Sequence, residues 1–292
     1  MKNVRGSVLG FGGLFAVGLA LGGCAASKAA EGPTNAGSST SSAASAAGGG
    51  DVVESCQAWS NAFDGPYRYS NNVWGHDKAK GESKQCLLSR KRGDRLERGW
   101  SWSWPGFDPS VFAYPEIEFG WKPWTGGKAT DKRFPMRVGD VRHLVMNYEV
   151  ETEATGSYDL APEIWLIEKN ESDSANPKLI TTEVMFWMDY AEGARPAGSV
   201  IETPTLDGVT YELWKEDKIG ESANGKGWML LSFKSPTIRR KGSISIHTLL
   251  KHLVEMKLAK PDEYVASVEF GNEVMGGTGT TWVKRFDIEV GD

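Results

Sequence analysis

Short runs of Val, Ile, Tyr, Phe and Trp, separated by clusters of Gly, Pro, Asn and Asp, recur from Asp51 to the end of the chain and constrain it to a β-rich fold. Val141 to Val150, Glu163 to Glu168, Thr181 to Tyr190, Gly227 to Phe233 and Trp282 to Val290 are such runs. Residues two apart on a strand share a face, so runs of this kind bury one face against a second sheet. One segment breaks the pattern. Leu249, Leu250, Leu253 and Met256 fall at helical spacing, with Ser245 or Thr248 able to cap the start and Lys257, Lys260 and Pro261 marking the end. A single helix among many strands predicts an all-β sandwich or jelly roll of two antiparallel sheets. No repeat or second linker divides residues 51–292, so they form one domain.

The N-terminal segment predicts export. Lys2 and Arg5 precede the apolar run Val8 to Leu21, which ends in Leu21-Gly22-Gly23-Cys24. This has the grammar of a lipoprotein signal over 1–23, with Cys24 lipidated after cleavage; the run is too short and Gly-rich for a plain membrane span. Ala25 to Gly50 is almost wholly Ala, Ser, Gly and Thr and reads as a flexible tether in a 24–50 linker. The domain is therefore expected outside the cytoplasm, held to a membrane only through its lipid. Ala25, in place of an Asp, is compatible with sorting to the outer membrane or cell surface.

Cleavage would also take two positive charges from a net of −5, and no Lys/Arg run exceeds Arg90-Lys91-Arg92, which argues against nucleic acid as a partner. Once Cys24 is lipidated, Cys56 and Cys86 remain. In an oxidising compartment a disulfide between them is expected, two buried thiols being the alternative. His76, His143, His247 and His252 have no ligand spacing with each other or with cysteine, so no metal site is expected.

Alternation also gives direction to several acids. Glu183, Met185, Trp187 and Asp189 share one face of their run, opposite Val184, Phe186, Met188 and Tyr190. Glu163 and Trp165 lie together opposite Ile164 and Leu166; Ser267, Glu269, Gly271 and Glu273 lie together opposite Ala266, Val268 and Phe270. Ionised carboxylates in apolar strands are costly unless they face a cleft or a partner. Acids and indoles on one concave face suit a carbohydrate, whose rings stack on aromatics while its hydroxyls need fixed polar groups. The chain has 12 tryptophans, and Trp100, Trp102 and Trp104 are its densest group, on one face of a strand. As a set they favour a sugar-binding groove, although core packing accounts for any one of them as well.

An ordered series of motifs resembles glycoside hydrolase family 12, the small jelly-roll endo-β-1,4-glucanases and xyloglucanases. It runs through Cys56-Gln57-Ala58-Trp59, Asn71-Asn72-Val73-Trp74-Gly75, Trp102-Ser103-Trp104, Tyr114-Pro115-Glu116, Glu163-Ile164-Trp165-Leu166, Glu183-Val184-Met185-Phe186-Trp187, Arg195-Pro196-Ala197-Gly198 and Gly271-Asn272-Glu273. The resemblance implies Glu183 as nucleophile and Glu273 as acid/base of a retaining enzyme. It also implies Asn72 and Trp74 as donor-side sugar contacts, Trp59 as an outer stacking residue, and Met185 and Trp187 as groove walls. Glu163 takes the place of an aspartate that supports the family's nucleophile. Asn272, Val274 and Met275 depart from the family pattern and are expected to alter the walls beside the leaving group. Glu269 is the rival acid, and Glu116 and Glu118 are expected at the rim. The implied protein is a monomeric β-glucan hydrolase that needs no metal or organic cofactor. The alternative is a sugar-binding lipoprotein without turnover, and the loop Trp121 to Phe134 is expected to help choose the glucan.

Overall fold

The computed structural model describes residues 51–106 and 110–291. The expected signal, Cys24 and the tether lie outside the described residues. In chain order the strands are β1 (Val53–Ser55), β2 (Asn61–Asp64), β3 (Tyr67–Ser70), β4 (Lys84–Arg92), β5 (Arg95–Trp104), β6 (Glu116–Gly120), β7 (Met136–Arg137), β8 (His143–Ile167) and β9 (Ile180–Trp187). They continue with β10 (Asp189–Tyr190), β11 (Ser199–Glu202), β12 (Thr205–Leu206), β13 (Val209–Thr210), β14 (Glu212–Ile219), β15 (Trp228–Lys234), β16 (Lys241–Ser245) and β17 (Tyr264–Gly291). Helix α1 (Glu221–Asn224) is a single turn and α2 (Ile246–Glu255) is the helix expected from the spacing.

The fold is the expected sandwich, with two differences in its sheets. β8 and β17 pair antiparallel along nearly their whole lengths, from Ile167↔Tyr264 to His143↔Gly291, and run through both layers. Their early-β8 and late-β17 halves carry β5, β4, β1 and β16; their other halves carry β6, β3 and β2 on one side and β9, β15, β14 and β11 on the other. The two layers are thus hydrogen-bonded into one folded sheet. Also, β9 and β15 pair parallel, the single departure from antiparallel order among the described residues. Where the ribbon passes between layers, Gly277 pairs with Gly156, both in the left-handed region; a Cβ on Gly277 would meet Thr155 O at 2.1 Å. Only glycine fits there.

The space between the layers is filled as alternation predicts. Ile164, Leu166, Val184, Phe186, Met188, Val268 and Phe270 meet Leu144, Met146, Tyr148 and the buried face of α2, Ile246, Leu249, Leu250 and Leu253. Ser245 caps α2, its hydroxyl accepting from Thr248 N, and Lys257 turns left-handed just beyond the end. Trp100, Trp102 and Trp104 belong to this core and not to a groove. The face of β5 that carries them points between the layers, and buried amides satisfy two of the indoles: Trp100 Nε1 donates to Asn272 Oδ1 (2.8 Å) and Trp104 Nε1 to Gln85 Oε1 (3.1 Å). The expected Cys56–Cys86 disulfide is present and ties the segment before β2 to β4.

Candidate active site

On the face of β8, β9 and β17 turned away from the core, the side chains are still buried. Trp165, Glu183, Met185 and Trp187 are all less than a tenth exposed. Neighbouring side chains cover them, Trp121 and Trp228 beside Trp165 and Leu230 and Tyr190 beside Met185 and Trp187, and the acids among them make this face the candidate cleft. Cross-strand register sets the order within it. Glu269, Glu163 and Met185 lie in one row, Ser267, Trp165 and Glu183 in the next, and Glu273 pairs with Asp159. Glu183 on β9 and Glu273 on β17 therefore face the cleft from either side of β8. Glu183 is buried and Glu273 half-buried.

Two details of parity differ from the sequence reading. Glu163 pairs with Met185 but Asp189 pairs with Leu160, so the register steps by one between β9 and β10. The extra residue reverses the faces. Tyr190 consequently packs beside Trp187 in the cleft, while Asp189 turns inward to Arg240 Nε (2.6 Å). A similar irregularity between Val265 and Ser267 moves Ala266 against Trp121 and Trp165.

Burial is the first cause raising Glu183, and the charge of Glu273 the second; together they push it up to about 8 against a pull downward from Trp228. Trp228 Nε1 on β15 donates to Glu183 Oε2 at 2.6 Å. That indole packs edge-on against Trp124 and Trp165, with centroids 5.4 and 5.7 Å away. Glu273 is raised by burial. Its neighbour Asp159, which pairs with it across the sheet, is raised by burial and then by the charge of Glu273. Glu163, one row from Glu183 in the β8–β9 pairing, is raised by burial and then by the charge of Glu183. The hydrogen-bond donor to Glu183, however, is Trp228.

Glu116 and Glu118 are buried and not at the rim. β6 is an interior strand between β3 and β17, so its acids need internal partners. Lys122 Nζ donates to Glu116 Oε1 and Oε2 (2.8 and 2.7 Å) and to Glu269 Oε2 (2.7 Å), Ser267 Oγ donates to Glu269 Oε1, and Arg68 pairs with Glu118. Burial disfavours the charge of Lys122, but Glu116 and Glu269 outweigh it and hold the amine above its usual range. Burial opposes the charge of Glu269 too, yet Lys122 and the hydrogen bonds around it hold that carboxyl low, while Glu116 is raised by burial. Lys122 thus sits between the two carboxyls and is hydrogen-bonded to both. Glu269 is thus committed to Lys122, which weakens it as a rival acid.

Asn72 is buried: its Nδ2 donates to Glu116 Oε1 (2.7 Å) and its Oδ1 accepts from Trp74 N (3.1 Å). It links the acid cluster to the loop bearing Trp74. Trp74 and Trp59 are 49% and 44% exposed, which suits stacking on a sugar, and one face of the Trp74 ring is covered by Lys78 Nζ, 4.3 Å from its centroid. Asn272 and Val274 lie in the core, on the face opposite Glu273, so they do not wall the cleft. Asn272 joins Trp100, Thr281 and the Asp159 carbonyl. Met275 is half-buried near Ser157. Asp159 and Trp228 were missed by the sequence reading. Extending the Glu163–Trp165 alternation back by four residues would have found Asp159; no local signal marks Trp228 as the partner of Glu183.

A buried and a half-buried carboxyl thus stand on either side of β8, one accepting from an indole N–H and the other paired with Asp159. The model of the family described as "Glycosyl hydrolase family 12" matches residues 65–291. The chain belongs to this family. Endoglucanase S of Pectobacterium parmentieri is 32% identical over 226 residues, 77% of this chain and 81% of that protein. A xyloglucan-specific endo-beta-1,4-glucanase A of Aspergillus niger is 24% identical over 76% of this chain and 84% of its own length. Among solved structures, the native family 12 xyloglucanase from Bacillus licheniformis superposes with a TM-score of 0.72 and 31% identity, covering 82% of this chain and all of that one. The family 12 match contains Glu163, Glu183 and Glu273 together with Asp159, Lys122 and Trp228.

Proposed function

We propose that this chain is an endo-acting β-1,4-glucan hydrolase that retains anomeric configuration. The observation that carries the reading is the pairing of Glu183, bound by the Trp228 indole, with Glu273 across β8. Protonated Glu273 gives its proton to the leaving glycosidic oxygen while Glu183 attacks the anomeric carbon, forming a glycosyl ester. Glu273 then removes a proton from water, which attacks the same carbon and frees Glu183. The exposed faces of Trp59 and Trp74 support stacking of further sugar rings, and Met185 and Trp187 line the floor. The names of the relatives support xyloglucan as a substrate, beside mixed-linkage glucan and amorphous cellulose. We further propose that Cys24 carries a lipid and that residues 25–50 let the domain reach polymer outside the cytoplasm.

Reducing-sugar release from xyloglucan, mixed-linkage β-glucan and carboxymethyl cellulose tests the activity, with Glu183→Gln as the control that loses it. Proton NMR of the first product tests retention, the β-anomer appearing before mutarotation. A wild-type protein that binds these polymers and cleaves none would instead be a surface glucan-binding lipoprotein. Metabolic labelling with palmitate, lost in Cys24→Ser, tests the anchor.

A further inference from the structure

The indole that holds Glu183 sits in a clamp of its own. β14 and β15 are joined by a turn containing α1, and Gly220 in that turn is left-handed, with no side chain to fill the space beside Trp228. A Cβ on Gly220 would lie 1.8 Å from the Trp228 ring. Asn224 is buried; its Oδ1 accepts from Gly227 N (2.6 Å) and Lys226 N (2.9 Å), and its Nδ2 donates to Pro177 O (3.1 Å), fixing the chain immediately before Trp228. Trp124 and Trp165 close the other side of the ring. Trp228 is part of the buried cluster it forms with Trp121 and Trp165, and these contacts together fix where its N–H points. It points at Oε2 of Glu183, leaving Oε1 to attack.

We propose that Trp228 is a positioning residue of the hydrolytic reaction, which holds the non-attacking oxygen of Glu183 and stabilises Glu183 as the leaving carboxylate when the glycosyl ester is hydrolysed. The proposal rests on Glu183 being the nucleophile. A donor to a carboxylate binds the ionised group more strongly than its ester. The Trp228 bond therefore weakens as the ester forms and strengthens as water releases it. The charges around Glu183 are Glu163 and Asp159 from β8, Glu269 and Glu273 from β17, and Lys122 after β6; Trp228 is the donor from β15.

Trp228→Phe keeps the ring and removes the N–H. On an aryl β-cellobioside with a good leaving group, kcat is expected to fall about 10- to 100-fold, as for loss of a hydrogen bond to a charged group, with KM falling alongside it. The glycosyl-enzyme should accumulate to a level visible by intact mass, and the acid limb of kcat/KM should move to higher pH because the ionised form has lost its donor. A folded variant with kcat, KM and acid limb all within experimental error of wild type overturns the proposal. If the variant does not fold, the Nε1–H resonance of Trp228 in the wild-type protein decides. It should shift with pH through the acid limb and lose that titration in Glu183→Gln; a flat resonance from pH 4 to 9 overturns the proposal. Wild-type hydrolysis by Glu183→Gln would instead defeat the nucleophile assignment, whereas an inactive Glu183→Gln beside a normal Trp228→Phe defeats only the role of Trp228.

Discussion

Glu163 shows how the cleft trades stability for chemistry. Burial and the nearby Glu183 raise its folded pKa well above the ordinary glutamate value. A carboxyl raised in the folded state binds a proton there that the unfolded chain has released, so stability falls as pH rises from about 4.5 through the folded pKa. Glu163→Gln keeps the shape and removes the titration. Its melting temperature should exceed that of wild type at pH 8, with the gain shrinking toward zero as pH falls to 4.5. A variant equally unstable at both pH values would contradict this. Glu183, Glu273 and Glu163 were legible because alternation along an apolar strand leaves a carboxylate few places to go. Asp189 was misplaced because one bulged residue reverses parity, and nothing in Trp187-Met188-Asp189 announces the bulge. The chosen tryptophans failed differently: indoles at spacing two mark a face, but whether that face meets a sugar or Asn272 and Gln85 depends on distant strands.

At the scale of elements, β6 and the turn after it carry the most exposed assumption of the sequence reading, since Glu116, Glu118 and Lys122 look like surface residues until β3 and β17 close over them. Breaking a buried ion pair by removing one partner costs about 3 to 5 kcal/mol. Lys122→Met should lose stability in that range by urea denaturation. Glu116 and Glu269 are then left buried without their amine; a loss below about 1 kcal/mol would show that water replaces the amine freely. α2 was legible from its apolar stripe, with Ser245 one of the two caps the spacing allowed, because helical period and capping are local. The lengths of β8 and β17 were not. Their middle stretches, Thr152 to Ser157 and Gly276 to Thr281, are polar or glycine-rich and fall outside the apolar runs, yet they pair with each other.

For the molecule as a whole, the Cys56–Cys86 bridge closes a loop of sequence separation 30 at the edge of the sandwich. On the chain-entropy account such a loop is worth about 3 to 4 kcal/mol. Thermal unfolding with and without a reductant should differ correspondingly, and identical melting would assign the bridge no role in stability. The β8–β17 ribbon has a kinetic counterpart. Each of its rungs joins residues about a hundred or more positions apart, so a long loop must close before any rung forms. Glu273, Asp159 and Glu163 all ride on that ribbon. On refolding from urea, helical circular dichroism should therefore return first and hydrolysis last, the catalytic carboxyls meeting only in the slowest step.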